Sequence, residues 1–220
     1  MVGANGMILY GGGNSWQIYE PSPTTQNLYS VCGDWYYFEP NTTWAVGAGG
    51  TILHYQDGAW NLYPSSPTTE DLFCVYVRLY NLHFHAWACG ANGTILRWDG
   101  ASWTKINNVP TNENLYSICG YEEDVWSEEF CVGANGTILF SDDGGLNWHF
   151  ENCPVNVDLH GVEMDNEVTW AVGDEGTILS HGEVPEIIQP QSLGRVKALY
   201  YGCASVSQKQ PMSKKLPVNR

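Results

Sequence analysis

Hydrophobic and small residues alternate with polar ones in short runs along the first 180 residues, and the runs break at glycine, proline or asparagine. That pattern predicts short β-strands joined by tight turns, not helices. One run recurs five times: Val2-Gly-Ala-Asn-Gly-Met-Ile-Leu9, Val46-Gly-Ala-Gly-Gly-Thr-Ile-Leu53, Cys89-Gly-Ala-Asn-Gly-Thr-Ile-Leu96, Val132-Gly-Ala-Asn-Gly-Thr-Ile-Leu139 and Val172-Gly-Asp-Glu-Gly-Thr-Ile-Leu179. The leading glycines, Gly3, Gly47, Gly90, Gly133 and Gly173, are 44, 43, 43 and 40 residues apart.

Each unit reads as four strands. The Asn-Gly or Gly-Gly pair tolerates left-handed backbone and makes a tight turn. An aromatic-and-small strand precedes it (Trp44-Ala-Val, Trp87-Ala-Cys, Phe130-Cys-Val, Trp170-Ala-Val), and Thr-Ile-Leu follows it. A fourth strand holds Trp16, Trp60, Trp103 or Trp148, and a connector rich in Pro, Thr and Asn leads to a new first strand at Leu28, Leu72, Leu115 or Leu159. From Met7, Thr51, Thr94 and Thr137 to that leucine is 21, 21, 21 and 22 residues; from Thr177, a step of 22 lands on Leu199. Leu199-Tyr-Tyr-Gly-Cys203 copies Leu115-Tyr-Ser-Ile-Cys119.

A period in the low forties, made of short strands, is that of propeller blades. The chain is therefore expected to be all-β: a five-bladed β-propeller over residues 1–204, closed by pairing of the C-terminal strand with the N-terminal blade. Residues 2–20 plus 198–204 make up blade one, and residues 205–220 a basic tail. Closure removes exposed sheet edges. Tryptophans recurring in every blade are expected in the core.

Charge is unevenly placed. The formal net charge is −15, and all 24 acidic residues lie at or before Glu186, where only Arg78, Arg97 and Lys105 are basic. Arg195, Lys197, Lys209, Lys214, Lys215 and Arg220 follow. An acidic body repels phosphate, which argues against nucleic acid as a partner, while the basic tail offers self-association with that body. No apolar run is long enough to cross a membrane as a helix. Met1-Val2-Gly3 already belongs to the repeat, so no leader peptide is expected. Seven cysteines point to an oxidising setting, extracellular or at the cell surface.

The stretch Trp44-Ala-Val-Gly-Ala-Gly-Gly-Thr-Ile-Leu-His-Tyr-Gln-Asp-Gly-Ala-Trp60 resembles the repeat of bacterial secreted and cell-surface propellers, related to photosystem II assembly and stability factors and to Asp-box proteins. The likeness covers roughly residues 1–180 and speaks to fold, not to function. One full Asp-box, Ser-x-Asp-x-Gly-x-x-Trp, occurs at Ser141, Asp143, Gly145 and Trp148. The resemblance implies a hairpin staple, in which Ser141 and Asp143 bond turn amides and Trp148 packs between strands. Sialidases carry such boxes too, but their arginine triad has no match in blades that offer only Arg78 and Arg97. The photosystem factors resemble a seven-bladed ring with an arginine patch, which is also missing.

Candidate chemistry lies mainly in aromatic loops. The hairpins between first and second strands carry Trp35, Tyr36, Tyr37 and Phe38 in one blade, Tyr80 and Phe84 in the next, and Tyr121 and Trp126 in the third. These should share one face of the disc, where exposed rings suit stacking on sugars or anchoring a protein. The fourth residue after each first-strand leucine is Cys32, Tyr76, Cys119, Glu163 or Cys203, expected to fill the channel. His83 and His85 lie on one strand face with Cys89 and are weak metal candidates; no metal or other cofactor is expected.

Cys74–Cys89 and Cys119–Cys131 both look like cross-strand bridges. Blades three and four superimpose by a shift of 43, and the two pairs then differ by one residue in register. At most one can face across its hairpin, unless a bulge shifts one of them. Cys119–Cys131 is the expected bridge, because its partner position is alanine in neighbouring blades. No Ser/His/Asp order, phosphate loop or matched carboxylate pair signals catalysis. The expected function is a non-enzymatic, surface-exposed propeller binding a glycan or a protein through its aromatic loops. The alternatives are a scaffold or assembly factor in a larger complex, and a glycosidase- or lyase-type enzyme.

Overall fold

Each repeat unit folds into its own small sheet in the computed structural model, which describes residues 1–12, 15–33, 42–80, 83–123, 126–165, 168–182 and 198–199. The first unit holds a two-stranded hairpin, β1 (Leu9–Gly12) and β2 (Ser15–Ile18), extended by a bridge between Val2 and Ile8. The second is a four-stranded antiparallel sheet, β3 (Leu28–Cys32), β4 (Thr43–Gly47), β5 (Ile52–Gln56) and β6 (Ala59–Leu62). The third follows the same order with β7 (Leu72–Tyr80), β8 (His83–Gly90), β9 (Ile95–Trp98) and β10 (Trp103–Lys105). The fourth is β11 (Leu115–Glu123), β12 (Trp126–Gly133), β13 (Ile138–Ser141) and β14 (His149–Phe150). The fifth has β15 (Leu159–Asp165), β16 (Val168–Gly173) and β17 (Thr177–Gly182), with β18 (Ala198–Leu199) beside β17.

The repeated motif forms a tight turn between second and third strands, a 3₁₀ turn in all but the third unit, and its glycines answer to close approaches as well as to φ. Gly50 sits at φ 72°, and a Cβ there would run into the Thr68 carbonyl of the next connector. A Cβ on Gly47 would strike the carbonyl of Asn27, the residue before β3. The copies Gly90, Gly133 and Gly173 meet the carbonyls of Asp71, Asn114 and Asp158 in the same way. Two copies have no such neighbour. Gly3 has only Met7 Cε at 3.9 Å, and Gly176 has nothing within 4 Å.

Neighbouring sheets pack face to face. Trp44, Val46 and Ile52 of the second unit lie against Val75, Ala88, Leu96 and Trp103 of the third. Trp87, Cys89 and Ile95 then meet Ile118, Cys131, Leu139 and Trp148. Phe130 and Val132 meet Val162, Ala171 and Leu179. Ile8 of the first unit meets Leu28, Ala45 and Leu53, with Trp60 packed alongside. Burying these faces is the dominant stabilising term. The two outermost faces are uncovered: Trp16 is 61% exposed, whereas Trp103 and Trp148 are 3% exposed, and Val172 is 46% exposed, whereas Val46 and Val132 are fully buried. Trp16 thus departs from the core position expected of it, because among the described residues no sheet lies against that side of the first unit.

The C-terminal strand also departs from expectation. Ala198 and Leu199 run parallel to Ile178 and Leu179 of β17, as an outer strand of the fifth unit, and not beside Val2 of the first. β17 offers them an edge of unpaired backbone groups, which the antiparallel fourth strand occupies in the second, third and fourth units.

Candidate functional site

The first strands β3, β7, β11 and β15 contact one another in chain order. Each contains a β-bulge at its start: the register slips between Leu28 and Ser30, Leu72 and Cys74, Leu115 and Ser117, and Leu159 and Gly161. The extra residue in each is Tyr29, Phe73, Tyr116 or His160. A bulge re-aims the side chain it inserts. Here the four rings line up across four sheets, with centroid separations of 5.9 Å (Tyr29–Phe73), 5.8 Å (Phe73–Tyr116) and 5.4 Å (Tyr116–His160). Tyr29 is 44% exposed and the His160 side chain 53%.

Carboxylates frame this row. His160 Nε2 lies 2.8 Å from Asp174 Oδ1, and the Tyr116 hydroxyl donates to Asp158 Oδ2 at 3.4 Å. The residue before each first-strand leucine holds the turn of the preceding unit: amides of Asn5, Gly49, Asn92 and Asn135 donate to Asn27, Asp71, Asn114 and Asp158 at 2.8–3.2 Å. In the sequence the row shows only as an aromatic or histidine directly after each first-strand leucine, a position that strand alternation treats as ordinary.

The far ends of the β7–β8 and β11–β12 pairs lie at the opposite end of the first strands. Trp35, Tyr36, Tyr37 and Phe38 are outside the described residues. Tyr80, Tyr121 and Trp126 are placed as strand residues, their side chains outside what is described, and Phe84 is half-buried on β8 opposite Leu79.

Three of the channel candidates come together. Tyr76, Cys119 and Glu163 are electrostatic neighbours, and Tyr76 Oη and Arg78 Nη1 both donate to the Gly120 carbonyl, at 2.7 and 3.1 Å. Cys32 packs instead with the second and third units, and Cys203 is outside the described residues. Burial pushes the Cys119 thiol up to about 12 and also raises the Tyr76 hydroxyl.

The Asp-box wraps its turn. Asp143 Oδ1 accepts from the amides of Leu146 and Asn147 at 3.0 and 2.9 Å, Ser141 Oγ accepts the Gly145 amide at 3.1 Å, and Trp148 Nε1 donates to the Gly145 carbonyl at 3.1 Å. Arg97 Nε and Trp87 Nε1 of the preceding unit both donate to the Gly144 carbonyl, at 2.7 and 3.3 Å. The box therefore joins two sheets as well as closing a hairpin.

The cysteine expectation is corrected. Both hairpins share one register, since both carry the bulge after their leucine. That register sets Cys74 opposite Cys89, but Ile118 opposite Cys131 and Cys119 opposite Phe130. Cys119 and Cys131 consequently point to opposite faces. All six described cysteines are free thiols, with Cys89 between Cys74 and Cys131. His85 stacks on Trp87 at 6.0 Å, and among the described residues no three His, Cys, Asp or Glu side chains gather as metal ligands.

No family model and no curated protein matches this chain. Solved structures do. The WD40 β-propeller domain of Doa1 superimposes with a TM-score of 0.62 at 12% identity, over 82% of this chain and 60% of that one. YCF48 from Cyanidioschyzon merolae gives 0.59 at 15% identity, over 81% of this chain and 61% of that one. The computationally designed Ika4 protein gives 0.51 at 11% identity, over 70% of this chain and 89% of that one. The chain thus spans less than two thirds of the Doa1 domain and of YCF48. At such identities the likeness carries the fold alone: the chain has the blades of a β-propeller.

Proposed function

We propose that this chain is a non-enzymatic binding propeller of five repeat units closed into a ring, which takes a glycan or a protein at the bulge row of Tyr29, Phe73, Tyr116 and His160. The observation that carries it is the row itself: four rings brought to one end of the inner strands by four identical bulges, where packing alone has no use for exposed aromatic surface. A binding role also accords with the raised Cys119 and Tyr76, which are poor nucleophiles at neutral pH. YCF48, a propeller of similar fold, has been solved with a D1 peptide bound. The hairpin aromatics at the opposite end are a second proposed surface, and an extracellular or cell-surface setting goes with both.

Two features support closure. The exposed faces of Trp16 and Val172 are the unmatched halves of one more inter-unit interface, and Gly3 and Gly176 keep glycine where every other copy has a crowding carbonyl. The binding proposal is tested by probing glycan and peptide arrays with the full chain and with Phe73→Ala. Signal on one ligand class that fades in the variant supports it; identical signal from both proteins rules out the row.

A further inference from the structure

The end of the sheets that bears the aromatic row is acidic. Topology brings three kinds of segment to this end: the starts of the first strands, the turns before the third strands, and the connectors that leave the fourth strands and enter the next unit. The connectors 20–27, 63–71, 106–114 and 151–158 and the turns 48–51, 91–94, 134–137 and 174–176 contain no lysine or arginine. They do contain Glu70, Asp71, Glu113, Asp158, Asp174 and Glu175. Of the described basic side chains, Arg78 lies in β7 beyond its midpoint and Arg97 in β9, while Lys105 ends β10 directly before the connector 106–114, one cation beside those six carboxylates.

The carboxylates of this end are pinned where they are. Asp71 and Asp158 cap turn amides, Glu70 accepts from Asn92 Nδ2 at 2.7 Å, and Glu113 accepts from Asn135 Nδ2 at 3.0 Å. Those bonds are to neutral donors, so the negative charge is not cancelled. A run of tilted rings inside a net-acidic rim favours one kind of guest. Aromatic faces attract cations, carboxylates pair with them, and the rings receive the aliphatic stems of long basic side chains. A neutral sugar chain uses the rings and leaves the rim unused; an acidic guest is repelled.

Resting on the reading of the row as a binding surface, we infer that its ligand is an extended segment of another protein rich in lysine or arginine, lying along Tyr29, Phe73, Tyr116 and His160 with its cations between the rings and the rim carboxylates. Three ring steps of roughly equal length suit an extended strand, whose alternate side chains point the same way. The attraction is electrostatic in part, so affinity falls as salt rises.

Calorimetric titration of the full chain at near-physiological salt tests this, with a capped decapeptide of alternating lysine and glycine and with a neutral β-linked hexasaccharide as probes. The lysine peptide is expected to bind one to one, and to bind about tenfold more weakly to Phe73→Ala and to Tyr29→Ala. Tyr29 is exposed enough for its variant to fold if Phe73→Ala does not. The hexasaccharide is expected to give no heat. If instead the hexasaccharide binds and the ring variants weaken it, while the lysine peptide does not bind, the row is a binding surface and the cationic inference is wrong. If neither ring variant changes the binding of either probe, the row is not a site at all. If the lysine peptide binds only to a chain carrying Lys214→Gln and Lys215→Gln, the surface belongs to the chain's own basic tail, and the partner inference fails.

Discussion

Asp71 Oδ1 accepts the backbone amide of Gly49 at 2.8 Å, so the side chain before one unit's first strand caps the turn of the unit before it. Asn27, Asn114 and Asp158 do the same for Asn5, Asn92 and Asn135. These caps hold adjacent sheets in step at the end that carries the aromatic row. Asp71→Ala is expected to lower stability by about 1–2 kcal/mol in urea unfolding, and Asp71→Asn, which keeps an acceptor, by much less. Equal losses from both would show that the charge, not the cap, is what matters there.

The Asp-box makes a pH prediction. Partial burial pushes the Asp143 carboxyl up, but hydrogen bonds from the Asn147 side chain and amide, from Ser141 and from the Leu146 amide outweigh it, and the net shift is downward. A carboxylate depressed in the folded state adds stability above its unfolded value, near ~4, and that stability is lost as pH falls through the lower folded value. Asp143→Ala should therefore be less stable than the parent at pH 7, with the gap narrowing below about pH 4. A gap that stays constant down to about pH 2 argues against ionised Asp143 as the staple.

Gly145 tests the second role of the box. A Cβ there would collide with Trp87 Nε1, and φ is already 76°. Gly145→Ala is expected to cost more than about 2 kcal/mol, measured by thermal unfolding. Near-parental stability would mean that the turn and Trp87 are not in register as described.

The thiols test strand register. Mild oxidation of the folded chain followed by non-reducing peptide mapping should yield Cys74–Cys89 as the within-sheet bridge, never Cys119–Cys131. Recovering Cys119–Cys131 would require β11 to slide by one residue against β12. Cys119, with its thiol pushed up to about 12, should also alkylate slowly at pH 8 until the chain is unfolded.

Much of the fold was written in the repeat because glycine at Gly47, Gly90, Gly133 and Gly173 answers to a carbonyl crowding each one, a demand with little tolerance. The shared register of equivalent hairpins was legible too. Which cysteine pair it opposed was not, since the bulges at Phe73 and Tyr116 leave no mark beyond a residue count. Those bulges also hid the aromatic row: alternation counted from the leucine assigns Tyr29 and its equivalents an ordinary strand position, and only the slipped register turns them into a line. Leu199 fits the first-strand spacing by sequence, yet its backbone pairs with β17, because spacing identifies a kind of strand without naming the edge it will join.

Ring closure is most directly tested at Trp16. It is the first unit's copy of Trp103 and Trp148, both 3% exposed between sheets, whereas Trp16 is 61% exposed. If the five units close on one another, Trp16 lies against the face of Val172, and Trp16→Ala should destabilise the full chain about as much as Trp103→Ala does, on the order of 3–5 kcal/mol in equilibrium unfolding. A Trp16→Ala change within about 0.5 kcal/mol of the parent, beside a large loss for Trp103→Ala, would contradict the closed ring.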